Sequence, residues 1–135
     1  MSYGAAAALQ AAIYQRLMAD STLDALVSGA IHDSVPPGTV TGTYVSIGPE
    51  DVRDASHQVG RGAVHEFTVS VVTDQAGFQI AKAAAAAVSD ALTGATLVLG
   101  RGRLVGLWFL KARARRVEKA HARRIDLTFR ARVED

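Results

Sequence analysis

The chain has 135 residues, 49% of them hydrophobic and 21% charged, a globular composition at single-domain length, so residues 1–135 are expected to share one core. It contains no cysteine, which excludes disulfides, iron–sulfur clusters, thiolate zinc sites and thiol nucleophiles. Net charge is only +2, yet residues 1–100 hold 4 Lys/Arg against 9 Asp/Glu, whereas residues 101–135 hold 11 against 4. An acidic part and a basic part of that kind suit either nucleic acid or self-complementary stacking.

Residues 4–19 read as a helix in which Ala8, Ala12, Ile13 and Tyr14, with Leu9, Leu17 and Met18, make a broad apolar stripe. Ser21 with Asp24 resembles a capping box for a second short helix through Leu23, Leu26 and Val27, stopped by Gly29. Ile31–Val35 is expected to be a short strand, ended by the Pro36-Pro37-Gly38 turn. Thr43–Ile47 is a strand that Gly48-Pro49 should terminate. Glu50–Gly62, polar and without periodicity, reads as a long mobile loop.

His65, Phe67, Val69 and Val71 alternate with Glu66, Thr68 and Ser70, the period of a strand with one buried face. Asp74 is the expected N-cap of a helix running to Leu92, with Phe78, Ala81, Ala85, Val88 and Leu92 on its apolar stripe and Gly94 at its stop. Neither Ala-rich segment reaches the roughly 18 uninterrupted apolar residues of a membrane span. Gln10, Gln15 and Arg16 break the first, and Lys82, Ser89 and Asp90 the second. With no basic leader at Met1–Gly4, a soluble, intracellularly made protein without a membrane partner is expected.

Thr96–Leu99 reads as a short strand and Gly100-Arg101-Gly102 as a turn. A long strand follows from Arg103 to Val117, apolar on both faces at first and basic on one face beyond Lys111. After a turn at Glu118–His121, Ile125, Leu127, Phe129, Ala131 and Val133 alternate cleanly with Arg124, Asp126, Thr128, Arg130 and Arg132. The whole reads as an α+β fold: a mostly antiparallel sheet, helices packed on one face, and a long C-terminal β-hairpin that projects from it.

Catalytic chemistry finds no foothold. The four histidines, His32, His57, His65 and His121, lack metal-ligand spacing, and no Gly-x-Ser-x-Gly elbow or phosphate-cradling loop is present. No catalytic, metal or cofactor residue is assigned, and no enzymatic activity is expected. His65, sharing a strand face with Phe67, reads as a hydrogen-bonded core or interface histidine. The basic hairpin raises a second reading, a small nucleic-acid-binding module in which Arg113, Arg115, Arg124, Arg130 and Arg132 contact phosphates. Against it, such modules interleave aromatics for stacking, and from Lys111 onward the only aromatic is Phe129, on the apolar face.

The ordered pattern of Tyr44-Val45-Ser46-Ile47-Gly48, a polar loop, His65-Glu66-Phe67-Thr68-Val69-Ser70-Val71, Gly77-Phe78 opening an Ala-rich helix, and the closing Arg124–Glu134 strand resembles the tail-terminator (tail-completion) proteins of siphophages and of alphaproteobacterial gene transfer agents. The resemblance covers nearly the whole chain from Leu9. It implies a homohexameric ring at the head–tail junction that caps the tail tube and ends its polymerisation. The implied partners are further copies of the chain, the tail tube protein and the head-completion (stopper) protein, with DNA passing through the lumen unread. Arg61, Lys111, Arg113, Arg115, Arg124, Arg130 and Arg132 are the candidate residues for contact with a neighbouring subunit or partner.

Overall fold

A computed structural model describes residues 3–33, 41–55 and 62–135. They form α1 (Ala6–Met18), α2 (Ser21–Val27), β1 (Ile31–His32), β2 (Thr43–Asp54), β3 (Gly62–Thr73), α3 (Gln79–Leu92), β4 (Arg103–Val117), a 3-10 turn (Glu118–Ala120) and β5 (Ala122–Glu134). The strands make one five-stranded sheet in the order β1-β2-β3-β5-β4, antiparallel except for the short β1–β2 pair.

Alternation in β5 organises the core. Ile125, Leu127, Phe129, Ala131 and Val133 are all buried, and Val71, Val69, Phe67, His65 and Ala63 of β3 stand opposite them. That inner face packs against α3, where Ala81, Ala84 and Val88 are fully buried. Small side chains there let the helix backbone approach the strands closely. Leu9, Ile13 and Leu17 on one stripe of α1, with Leu23 and Val27 of α2, extend the same cluster. The fold is α+β, with helices on one sheet face and a long hairpin from β4 to β5, as the alternation predicts.

Several expected boundaries move. β2 does not stop at Gly48-Pro49 but continues to Asp54, so the first part of the expected loop is strand. Ile47 pairs with Val69 and Glu50 with Phe67, which leaves one extra residue on β2. This bulge absorbs the break: Gly48 takes φ +118°, and Pro49, with no N–H to donate, falls where the ladder is interrupted. The rest of that loop, 56–61, lies outside the described residues, as do the end of the expected 31–35 strand and its Pro-Pro-Gly turn.

α2 is capped by Asp20 rather than Ser21, its Oδ2 accepting the Leu23 N–H at 2.9 Å. Asp74 does not cap α3, which begins at Gln79. Its carboxylate instead accepts the Gly42 N–H at 2.9 Å, and its own N–H donates to the Gly42 carbonyl at 3.2 Å, closing the end of the β2–β3 ladder. Residues 96–99 form no strand, although Leu97 and Leu99 pack on the core. Nor does the hairpin project as a unit. β5 is paired with β3 from Arg123 to Glu134 and lies inside the sheet, so of the two hairpin strands β4 alone is at an edge.

Candidate assembly interface

The outer sheet face, turned away from the helices, is polar and internally paired. Its centre is Asp126, which accepts from the Ser70 hydroxyl at 2.6 Å and from Arg124 Nε at 2.8 Å, with Arg115 Nε at 3.6 Å. Burial alone would raise the Asp126 carboxyl, but the Ser70 hydroxyl and the guanidinium groups of Arg124 and Arg115 outweigh it and hold it below the usual range. Four residues along the same β3–β5 ladder, Glu66 accepts from Arg53 at 3.1 Å and Arg130 at 3.3 Å, and these bonds likewise hold it low.

The seven arginines and lysines expected to form one contact surface therefore divide. Arg115, Arg124 and Arg130 are neutralised by Asp126 and Glu66. Arg132 reaches the Ala55 carbonyl at 3.4 Å. Lys111, opposite Thr128, and Arg113, opposite Asp126, make no ion pair among the described residues. Arg61 lies outside them. Four of the five arginines that phosphate contact would require are thus committed within the subunit, which removes the main support for a nucleic-acid module.

A feature that charge counting misses runs along β4. Two register shifts, between Leu104 and Gly106 and between Phe109 and Lys111, bulge Val105 and Leu110 out of the ladder. Between them Trp108 lies over Gly106, where an added Cβ would come within 2.5 Å of the indole. Phe109 meets Phe129 edge-on, with ring centroids 5.8 Å apart. Val105, Trp108, Phe109 and Leu110 are nevertheless 42%, 47%, 41% and 37% exposed. The signal was the stretch with both faces apolar; only the strand order shows that it sits on an edge.

His65 is fully buried, as its strand face implies, but neither ring nitrogen has a hydrogen-bond partner. Its Nδ1 stands 3.8 Å from Glu50, whose carboxylate also accepts from the Tyr3 hydroxyl. Burial lowers the His65 pKa, and Glu50 opposes that only in part. Among the described residues no three metal-capable side chains cluster, and no helix is long and apolar enough to cross a membrane.

The family model for tail completion protein gp17 matches residues 11–134. No curated protein matches. Among solved structures, a chain in the "Virion of native gene transfer agent (GTA) particle" is 71% identical and superimposes with a TM-score of 0.92, covering 99% of this chain and 100% of that one. An α+β subunit with a long open strand edge, matched over almost its full length by that model, belongs to the tail completion protein gp17 family.

Proposed function

We propose that the protein is a structural subunit of a gene transfer agent tail, in which residues 1–135 form one domain of a homohexameric ring. The ring caps the head-proximal end of the tail tube, ends its polymerisation, and docks the tail to the head-completion (stopper) protein. DNA passes through its lumen without sequence-specific contact, and the role calls for no catalysis. Assembly takes place in the bacterial cytoplasm. The observation that carries this reading is the 71% identity, over nearly all of both chains, to a component of a gene transfer agent virion.

The physics of capping supports it. A tube grows because each added ring exposes the surface that the last one offered, so growth ends when a ring binds that surface without reproducing it. A cap therefore needs two unlike faces, one that matches the tube and one that does not. Reconstruction of purified particles tests the reading: density for this chain should form one six-fold ring between tail tube and head. Density along the tube, or in the capsid shell, would refute it.

A further inference from the structure

We infer that subunits join head to tail, the open β4 edge of one seating on the acidic α2–β1–β2 flank of a second copy of this chain. The inference rests on the ring proposed above and says how that ring closes. A ring with cyclic symmetry needs two different, complementary patches on opposite sides of each subunit. The strand order supplies the two sides, because β1 and β4 are the opposite edges of one sheet.

β4 is built as a contact surface. Its only strand partner is β5; on its other side the Leu107 carbonyl accepts the Gly94 N–H at 3.0 Å, and the rest of that row takes no other backbone bond among the described residues. Val105, Trp108, Phe109 and Leu110 place four exposed apolar side chains within six positions of that edge. Lys111 and Arg113 follow immediately, without ion-pair partners among the described residues. The stretch from Val105 to Arg116 extends about 40 Å.

Charge selects the occupant. A two-fold pairing of β4 edges centred on Arg113 would set Arg113 against its own copy and Lys111 against Arg115. The far flank is the complement: between Arg16 and Arg53 the chain has no Lys or Arg, but five Asp/Glu. Asp24 in α2, Asp33 just after β1 and Asp51 on the outer part of β2 are exposed. None of the three makes an ion pair among the described residues. β1 is only two residues long, so β2 beyond Ser46 has no strand on that side among the described residues. Charged side chains of opposite sign, on opposite edges of one sheet, therefore fit head-to-tail contact.

The absence of cysteine makes the test clean. Particles assembled from a chain carrying both Arg113→Cys and Asp33→Cys are treated with a bismaleimide of about 15 Å reach, then denatured and resolved by mass. Head-to-tail contact predicts a ladder of products extending past the dimer, with no product from either single-cysteine chain. Dimers from Arg113→Cys alone would show β4 against β4 and overturn the inference. No cross-linking in particles that retain a six-fold ring would overturn it while leaving the ring intact; absence of a ring would end both.

A second set keeps the inference testable if the cysteine chain fails to assemble. Lys111→Glu with Arg113→Glu, or Asp33→Lys with Asp51→Lys, should each cut the yield of joined particles at least tenfold. All four changes in one chain should restore it. Trp108, the single tryptophan, reports the contact directly. Its emission should shift to shorter wavelength on assembly and stay unshifted in either reversed variant. Normal yield from both reversals would refute the contact.

Discussion

Replacing Phe129 by alanine tests the sheet register on which the core depends. Phe129 has no exposed surface, stacks on Phe67 with centroids 5.6 Å apart at 18°, and receives the edge of Phe109 at 5.8 Å. Removing the ring exposes or empties roughly 150 Å² of apolar contact, about 4 kcal/mol at the usual coefficient. The lost ring pairs add to that, while inward relaxation of the half-exposed Phe109 subtracts. The expected cost is about 3–5 kcal/mol, as for large core truncations generally. For a chain of this size that corresponds to a fall in Tm of roughly 10–20 °C. Chemical denaturation followed by circular dichroism measures it, with Phe109→Ala as the control at a cost of about 1–2 kcal/mol, since much of that ring is already in water. Equal losses at the two positions, or an unchanged midpoint for Phe129→Ala, would refute the inward assignment of β5.

Other substitutions probe separate parts of the account. Gly102→Ala should destabilise by about 2–3 kcal/mol, because φ is +78° and the new Cβ would sit 2.8 Å from the Glu134 carbonyl oxygen. Gly100→Ala, with open space around it, should be within about 0.5 kcal/mol of the parent in the same melt. Burial lowers the His65 pKa, so below about pH 6.5 the unfolded chain takes up a proton that the folded one refuses. Denaturant midpoints should therefore fall between pH 7.5 and 5.5 and fall less in His65→Leu; equal slopes would refute this. Arg124→Glu should destabilise folding by about 1–3 kcal/mol, since it sets a carboxylate beside Asp126 and strips Ser70 of a donor, whereas Lys111→Glu, opposite the neutral Thr128, should leave the melt nearly unchanged.

The parts of the fold legible in the sequence were those where one side of an element is buried along its whole length. β5 alternates without interruption because β3 and β4 flank it and helices cover it, and the α1 and α3 stripes follow the same logic. The misreadings arose where tertiary contacts override local signals. Gly48-Pro49 is a stop signal by composition, yet a bulge opposite Thr68 lets β2 pass through it. Asp74 has the chemistry of a cap but spends both its carboxylate and its N–H on Gly42, 32 residues away. The candidate surface was half legible. A basic hairpin was visible, but which arginines Glu66 and Asp126 neutralise depends on the β3–β5 register, and periodicity alone cannot distinguish an edge from an interior.

The central claim is that this subunit ends tail growth, and the most direct measurement is tail length in cells that lack it. Electron microscopy of their lysates should show tails with a broad length distribution extending well beyond the parental value, unattached to DNA-filled heads. Expression of the intact chain should restore one length and joined particles. Tails of parental length joined to heads in the absence of this chain would contradict the account.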